Sequence, residues 1–399
     1  MGFAPRRGRS GDAVWGASGG RPGDRSSAAG LCGSVRWSMD VVVMAAGRGT
    51  RLLPLTVSRP KPMIPFLNTP LIDYILQDIA RLRADRVFML VDYMQEQLMR
   101  HCGDGSRYGL RIGYYTDNEP YGTAGACNKI VRELDSPFLV ISADIVTNLN
   151  LRELIAFHES KGGIASIALS RVDNPCQYGI ALLDEEKRIR RFLEKPSRDQ
   201  AFSNTVNTGV YVLETEAFRE VPPGTRFDFS RDLFPRLIQK DAPVYGYEFS
   251  EYWNDLGLPG TYLSASEDAL KGKLRLRGLH PRGAPFTNGE RTLISGRNCV
   301  IHGSIHVDGF AILGNDVEVG KNVEISRSIV WSGTRIGDGV RLRETIIGEG
   351  CELGPGTLFE TGCVAGDRCI VGEGCRIGTN IKLWYGSRLG PGTVMIPDQ

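Results

Sequence analysis

The C-terminal part of the chain repeats an apolar residue every six positions. In the longest register these residues are Ile347, Leu353, Phe359, Ala365, Val371, Ile377, Leu383 and Leu389, and glycine directly follows six of the eight. The same period occurs in shifted registers at Leu313, Val319 and Ile325 and at Val330, Ile336 and Leu342. A fixed hexapeptide period is typical of a parallel β-helix, in which each hexad forms a short strand and a turn. We therefore predict a β-helix over residues 297–399, with the repeated apolar positions pointing into the stack.

Cysteines occur within these repeats. The separations of Cys351, Cys363, Cys369 and Cys375 are multiples of six, so we expect the four to share one column of the stack. They lack the spacing of metal ligands, and a packed column of small residues is the favoured interpretation. The chain has 9 cysteines and no C-x-x-C pair, which indicates a reducing, cytoplasmic setting.

Residues 39–272 follow a different, α/β pattern. Apolar runs typical of buried strands occur at 41–45, 87–91, 138–142, 164–170 and 208–213, and amphipathic helical stretches at 71–83 and 149–160. This alternation predicts a mostly parallel, Rossmann-like sheet with helices on both faces. Ligands of such sheets bind at the carboxyl ends of the strands, so chemistry is expected in the loops after Ala45 and after Ser142.

Two segments are predicted to lie outside these domains. Residues 1–38 are rich in Gly, Ser, Ala and Arg, and such a composition cannot bury enough surface to fold. We interpret them as a disordered extension or as residues before the natural start at Met39, and a transit peptide is the less favoured alternative. Residues 273–296 are first basic and then rich in Gly and Pro, which predicts a linker.

The net charge of +2 gives no strong field toward nucleic acid or a membrane surface, and no apolar run is long enough to span a bilayer. We therefore expect neither nucleic acid nor a membrane as a partner.

The first chemical motif runs from Ala45 to Leu52 and continues to Pro60-Lys61-Pro62. Gly47 and Gly49 would let backbone N–H groups approach a polyphosphate, and Arg51 and Lys61 would add positive charge. It is neither a dinucleotide fingerprint, because Leu52 replaces the third glycine, nor a Walker A loop.

Two acids and one small-residue turn are the next candidates. Asp144 follows a predicted strand, where it could be a Mg²⁺ ligand or an ordinary turn residue. Asp255 lies in the segment Tyr252–Gly257, which could also be an ordinary loop beside a buried tryptophan. Gly122 and Thr123 open a helical stretch whose backbone could take an anion or a base edge.

The string A-A-G-R-G-T-R-L-L-P-L-T-x-x-x-P-K-P-M-x-P resembles the signature of the sugar-1-phosphate nucleotidyltransferases. The resemblance covers Asp40 to about Leu270, together with the left-handed β-helix tail that many members carry. It implies catalytic roles for Arg51, Lys61, Asp144 and Asp255, the last two as Mg²⁺ ligands. It implies nucleotide binding by Ala45, Ala46, Gly47, Gly49, Thr50, Arg51, Lys61, Gly122 and Thr123, and sugar-phosphate binding by Tyr178, Gly179, Glu194, Lys195 and Asn207.

The resemblance also bears on the substrates. The strings Gly122–Ala126 and Phe227–Pro235 look like those of mannose-1-phosphate guanylyltransferases, which implies GTP and mannose 1-phosphate. Ala45-Ala46-Gly47 is instead common in uridylyl-transferring members, so a glucose-1-phosphate uridylyl- or thymidylyltransferase is the alternative.

Two further alternatives concern the activity as a whole. One is a non-catalytic regulatory homologue, which the intact carboxylates and glycine loop disfavour. The other is an added acetyltransferase activity, for which only His302 and His306 lie near the β-helix as a possible base. We expect the β-helix to mediate a homo-oligomer instead.

Overall fold

The computed structural model describes residues 14–15, 39–116, 121–276, 284–289 and 291–397. The chain divides into two compact units, each assembled from separate stretches. Unit 1 comprises Met1–Ala46, Leu76–Ala143 and Leu149–Glu251, and unit 2 comprises Gly47–Ile75, Asp144–Asn148 and Tyr252–Gln399. Apart from residues 14–15, the predicted disordered extension lies outside the described residues, as does part of the predicted linker, so those domain boundaries stay a prediction.

The elements up to residue 276 alternate between strands and helices. The strands are β1 (Val14–Trp15), β2 (Asp40–Met44), β3 (Pro65–Phe66), β4 (Thr69–Pro70), β5 (Arg86–Val91), β6 (Ile112–Thr116), β7 (Phe138–Ser142), β8 (Val146–Thr147), β9 (Ala165–Arg171), β10 (Gly179–Leu183), β11 (Ile189–Glu194), β12 (Thr205–Leu213), β13 (Val244–Glu248) and β14 (Trp253–Asn254). The α-helices are α1 (Leu71–Leu82), α2 (Gln95–Cys102), α3 (Gly122–Asn128), α4 (Leu151–Lys161), α5 (Phe234–Gln239) and α6 (Pro259–Leu270).

Unit 1 is built on one sheet with the strand order β1-β6-β5-β2-β7-β12-β10-β11, in which β9 pairs with β12 and β13. Strands β6, β5, β2 and β7 are parallel, and their continuous apolar runs are buried, as expected for a sheet covered on both faces. The Rossmann-like prediction is confirmed. From β12 onward the sheet is mixed, because β12 runs antiparallel to both β7 and β9.

Met44 and Ser142 are partners in the register of β2 and β7, so these parallel strands end level with each other. The loops after them carry the first motif and Asp144, and these are the loops selected from the sequence. The chain passes into unit 2 after Ala46 and again after Ala143.

Unit 2 contains the β-helix. Its strands are β15 (Ala284–Asn288), β16 (Arg291–Ser295), β17 (Val300–Ile301), β18 (Ile305–Leu313), β19 (Glu318–Val319), β20 (Val323–Val330), β21 (Arg335–Ile336), β22 (Arg341–Arg343), β23 (Ile346–Ile347), β24 (Glu352–Leu353), β25 (Leu358–Phe359), β26 (Val364–Ala365), β27 (Ile370–Val371), β28 (Arg376–Ile377), β29 (Lys382–Leu383), β30 (Arg388–Leu389) and β31 (Val394–Met395). From β16 onward each strand pairs in parallel with a strand one coil away, which confirms the parallel β-helix; its left-handedness stays a prediction.

The coils differ in length by one residue. Glu318 pairs with Arg335 and Arg335 with Glu352, which are steps of 17, whereas Glu352 pairs with Ile370 and Ile370 with Arg388, which are steps of 18. A strict hexad needs 18 residues in a three-sided coil. The 17-residue coils therefore explain why the earlier repeats occur in shifted registers.

The expectation that four cysteines share one column is wrong. Pairing of β24 with β27 makes Cys351 and Cys369 equivalent positions in successive coils. Pairing of β23 with β26 places Cys363 on a second face, and pairing of β25 with β28 places Cys375 on the third. Residues six apart lie on adjacent faces, so only multiples of a whole coil share a column. All four thiols are buried, as packing residues should be.

Within the described part of the chain, no helix is both long and apolar enough to cross a membrane.

Candidate active site

The first motif forms a tight loop at the start of unit 2. Gly49 has a left-handed backbone (φ 63°), and its carbonyl accepts a 3.0 Å hydrogen bond from the Thr56 hydroxyl. A Cβ on Gly49 would lie 2.9 Å from Thr56 Cγ2 and 3.0 Å from Lys61 Cβ. A Cβ on Gly47 would meet nothing within 4 Å. The loop is therefore closed against its own chain at Gly49 and open at Gly47, where a ligand could approach the backbone.

Lys61 is held in a short turn between two prolines. A 3-10 helix spans Lys61–Met63, with Pro60 before it and Pro62 inside it. The Lys61 side chain is only 7% exposed, and its Nζ donates to Asp144 Oδ2 at 2.6 Å. A buried ammonium needs such a partner, because burial without one is costly. The structure thus brings together the lysine of the first motif and the first candidate metal ligand.

Asp144 and Asp255 are carried by neighbouring segments of unit 2. Strands β8 and β14 pair antiparallel, with Val146 opposite Asn254. Asp144 precedes β8 and Asp255 follows β14, so the two acids lie at the same end of this ribbon. Arg51 Nη2 is 3.5 Å from Asp255 Oδ2, and Gly257 makes room for this pair. The four residues expected to be catalytic thus form two ion pairs in one unit.

The chemistry of this pair of acids fits magnesium. The described residues include no group of three or more His, Cys, Asp and Glu side chains that could hold a metal ion. Mg²⁺ is commonly bound by one or two carboxylates together with substrate phosphates and water. Asp144 and Asp255 are 34% and 15% exposed, so their oxygens can take part in such a shared shell.

The proposed sugar-phosphate residues lie in unit 1. Gly179 of β10 pairs with Glu194 of β11, and a Cβ on Gly179 would lie 2.7 Å from Glu194 Oε2. The Lys195 amide donates to Tyr178 O at 2.9 Å, and Lys195 Nζ is 3.8 Å from Glu194 Oε1. The structure therefore brings these four residues together. Burial raises the pKa of Glu194, although Lys195 and Arg231 oppose that rise.

Asn207 of β12 is oriented by its neighbours. Its side-chain amide donates to Tyr211 Oη and to Ser230 Oγ, both at 2.9 Å, and its Oδ1 accepts from the Gly209 amide at 3.0 Å. These bonds fix the amide in one orientation, as a residue that recognises hydroxyl groups requires. Ser230 was not among the expected site residues.

The turn at Gly122 and Thr123 is closed by a carboxylate. A Cβ on Gly122 (φ 72°) would lie 2.8 Å from Phe227 O. The Thr123 amide donates to Asp228 Oδ1 at 3.1 Å, and the Phe229 amide donates to Thr123 Oγ1 at 2.9 Å. Asp228 thus occupies the amide that the sequence assigned to a ligand. Sequence reasoning noted the segment around Asp228 but gave the residue no role.

The remaining expected residues have clear positions. Ala45 is buried and its amide donates to Leu90 O at 2.9 Å, Ala46 follows it, and Thr50 begins a 3-10 helix. His302, the candidate base of an acetyltransferase, is exposed, and its Nε2 lies 2.8 Å from Glu318 Oε1.

Comparison with known proteins adds to this geometry. Residues 40–272 match the family model described as nucleotidyl transferase, and residues 290–389 match the model described as the GMPPB C-terminal domain. The chain is 33% identical over 289 residues to the mannose-1-phosphate guanylyltransferase of Mycobacterium tuberculosis (strain H37Rv), covering 71% of this chain and 77% of that protein. It is 29% identical over 298 residues to the UTP–glucose-1-phosphate uridylyltransferase of Synechocystis sp. (strain PCC 6803), covering 70% and 76%. Its fold is similar to that of HddC from Yersinia pseudotuberculosis, with a TM-score of 0.51 and 24% identity, covering 58% of this chain and 99% of that one.

Proposed function

Because this chain belongs to the nucleotidyl transferase family, we propose that it transfers the guanylyl group of GTP to mannose 1-phosphate, giving GDP-mannose and pyrophosphate. The resemblance to the sugar-1-phosphate nucleotidyltransferases is thereby confirmed, and with it the class of enzyme. The observation that carries the proposal is the constellation of Arg51, Lys61, Asp144 and Asp255, two cations each beside a carboxylate at the loops where ligands of such a fold bind.

The reaction needs no activated side-chain nucleophile. An ionised oxygen of mannose 1-phosphate attacks the α-phosphorus of GTP in line. The bond between that phosphorus and the oxygen bridging to the β-phosphate breaks, and its electron pair leaves with pyrophosphate. Since the attacking oxygen already carries negative charge, no proton must be removed. The enzyme contributes positioning and neutralisation of charge.

Lys61 and Arg51 are suited to the leaving pyrophosphate. An ammonium group has three N–H donors and the bond to Asp144 takes one, so Lys61 can also donate to a phosphate oxygen. Arg51 is half-exposed, and its guanidinium can donate to two phosphate oxygens side by side. Asp144 and Asp255 would hold Mg²⁺, which neutralises phosphate charge when bound.

Lys195, Glu194 and Asn207 are suited to the sugar phosphate. Lys195 is half-exposed and can bind the phosphate. The carboxylate of Glu194 and the amide oxygen of Asn207 can accept hydrogen bonds from sugar hydroxyls, because both N–H groups of the Asn207 amide already donate to Tyr211 and Ser230. Gly179 leaves the space beside Glu194 without a side chain.

The identity of the base and sugar rests on relatives and on one motif. The mannose-1-phosphate guanylyltransferase of M. tuberculosis and the string Gly122–Ala126 support GTP and mannose 1-phosphate. The Synechocystis uridylyltransferase is similar over nearly the same length, and Ala45-Ala46-Gly47 also favours it. Uridylyl transfer to glucose 1-phosphate is therefore the second candidate.

One assay separates the candidates. Purified protein with Mg²⁺ is tested for pyrophosphate release with GTP, UTP, dTTP and ATP, each against the 1-phosphates of mannose, glucose and N-acetylglucosamine. Asp144→Asn, which removes one carboxylate, serves as the control for contaminating activity. We expect the highest rate with GTP and mannose 1-phosphate. The highest rate with UTP and glucose 1-phosphate would replace the proposal by the second candidate. If no pair of substrates gave pyrophosphate release, both candidates would be refuted.

We also propose that the protein acts in the cytoplasm as a homo-oligomer assembled through the β-helix. The described residues contain no disulfide, which suits a reducing compartment.

Val394 and Ile396 are exposed on the last coil, where a second copy could cover them. Light scattering with Ile396→Glu tests the assembly, and an unchanged molar mass would contradict this interface.

A further inference from the structure

The arginine directly before Pro60-Lys61-Pro62 of the first motif is bound by the β-helix within unit 2. Arg59 lies two residues before Lys61, and its side chain is only 17% exposed. Its Nη2 donates to Asp367 Oδ2 at 2.8 Å and to Glu349 Oε2 at 2.6 Å. Its guanidinium carbon lies 4.6 Å from the centre of the Trp331 ring. Three coils of the β-helix thus supply one contact each to a single side chain.

Asp367, which binds Arg59, lies in a turn of the β-helix. It is a buried acid, whose Oδ1 accepts from the Glu349 amide at 2.8 Å in the coil before it. Its Oδ2 accepts from Arg59 and also from the Ser58 hydroxyl. Both oxygens are used, one to fix the turn and one to bind the loop.

Asp338 occupies the same kind of turn without burial. Its Oδ1 accepts from the Lys321 amide at 2.7 Å, as that of Asp367 does from Glu349, and the residue is exposed. The two aspartates share one role within the β-helix, and Asp367 has the contact with Ser58 and Arg59 in addition. Asp338 is therefore a matched control.

A buried ion pair is a poor source of stability. Removing both charges from water costs free energy that their attraction only partly returns, and well-packed apolar residues often stabilise as much. Burial lowers the pKa of Arg59, but Asp367 and Glu349 more than offset this and raise it, so the guanidinium is charged. What such a pair contributes is a defined geometry, since the planar guanidinium binds carboxylates in few orientations.

Apolar contacts already hold the loop on the β-helix. Leu52, Leu55 and Phe66 of the loop belong to one buried cluster with Ile329 and Ile346 of the β-helix. Such contacts are non-directional and tolerate small shifts. Loss of Arg59 should therefore leave the loop docked and change its alignment.

The path from Arg59 to Lys61 is short and stiff. Pro60 fixes φ between them, and the Met63 amide donates to Pro60 O at 2.9 Å. Lys61 then packs against Gly49 and donates to Asp144. A displacement of Arg59 would therefore move the Lys61 ammonium by a similar distance.

We propose that Arg59 is a positioning residue for the nucleotidyl transfer reaction: held by Asp367, Glu349 and Trp331 of the β-helix, it aligns Lys61 with the reacting phosphates. This rests on the proposed function. It makes the β-helix a support for the loop that carries Lys61. A misalignment of about 1 Å can reduce turnover about 100-fold.

The test compares Arg59→Met, Arg59→Lys and Asp367→Asn with Asp338→Asn. We expect kcat to fall about 10- to 100-fold in Arg59→Met and Asp367→Asn, with KM for the sugar phosphate changed less than about 2-fold. Arg59→Lys keeps the charge without the planar fork and should recover part of kcat. A variant that combines Arg59→Met with Asp367→Asn should lose no more kcat than the worse of the two single variants, because both substitutions remove the same contact. Asp338→Asn should retain wild-type kcat.

A second measurement tests the positioning of the Lys61 turn independently of turnover. Amide hydrogen exchange of Lys61, Met63 and Ile64 is followed in the same variants, each at the same interval below its own melting temperature. Faster exchange in Arg59→Met and Asp367→Asn, but not in Asp338→Asn, is expected because the turn has lost its anchor. Unchanged exchange overturns the proposal even if the wild type releases no pyrophosphate, in which case the proposed function fails separately. Wild-type kcat in Arg59→Met, or equal loss in Asp338→Asn, also overturns it.

Discussion

Alanine at Gly49 adds one methyl group at the most crowded point of the first motif. The new Cβ would lie 2.9 Å from Thr56 Cγ2 and 3.0 Å from Lys61 Cβ, so one of these side chains must move by a few tenths of an ångström. The backbone there is left-handed (φ 63°), a conformation that alanine adopts only with strain. Gly47, two residues earlier, offers the matched substitution, because its Cβ would meet nothing within 4 Å.

The expected cost has two parts. The left-handed backbone costs about 1–2 kcal/mol for a residue with a Cβ. The overlap adds about 1–2 kcal/mol, as for an extra methyl group in a packed core. Gly49→Ala should thus lower the stability of unit 2 by about 2–4 kcal/mol, equivalent to a fall in melting temperature of roughly 5–10 °C. Gly47→Ala should change the melting temperature by less than about 2 °C.

The assay pairs thermal unfolding with the kinetics of pyrophosphate release. Gly49→Ala should lose stability and, because Lys61 is displaced, at least about 10-fold in kcat. Gly47→Ala should keep its stability but raise KM for the triphosphate, since its methyl group points into the space proposed for that ligand. The reasoning is refuted if Gly49→Ala melts and turns over as the wild type does, or if the two variants lose stability equally.

Three other residues or pairs give independent tests. Lys61→Met and Asp144→Asn should be non-additive in urea unfolding by about 1 kcal/mol, because each removes the same 2.6 Å bond between a buried and a part-exposed charge; additivity would show that the bond does not form. Burial raises the pKa of Glu194, so its ionised form costs stability above that pKa and the cost vanishes as the pH falls through it. Glu194→Gln should therefore raise the melting temperature at about pH 8 and leave it unchanged at about pH 4, and an equal shift at both values would contradict this. Phe359→Ala should cost about 3–5 kcal/mol in chemical unfolding because Phe359 is fully buried in the β-helix, whereas Phe286→Ala, at an exposed ring, should cost less than about 0.5 kcal/mol.

Local patterns carried most of what the sequence could predict. Continuous apolar runs located β2, β5 and β7 to within one or two residues, because a strand buried on both faces has to be apolar throughout. The six-residue period predicted the β-helix because the residues that point into a β-helix recur at regular intervals and have to be apolar. The prediction of a single cysteine column was wrong because residues six apart lie on adjacent faces, and only residues one whole coil apart share a column.

Contacts between distant positions were beyond reach. Arg59 and Asp367 are 308 residues apart, and neither stands out from other charged residues of the chain. Asp228 was equally hidden, because its role depends on a turn at Thr123 that lies 105 residues earlier. Long-range pairing depends on topology, which a single sequence does not reveal through periodicity or composition.

The division of unit 2 among three stretches of chain has a consequence for protein synthesis. The loop carrying Gly49 and Lys61 emerges from the ribosome about 300 residues before Asp367. At about 5–20 residues per second, this interval lasts roughly 15–60 s. During it, Leu52 and Leu55 have no β-helix to cover them, and exposed apolar loops of nascent chains are targets for chaperones and for aggregation. The first motif can therefore reach its folded position only after the coil that contains Asp367 has been translated.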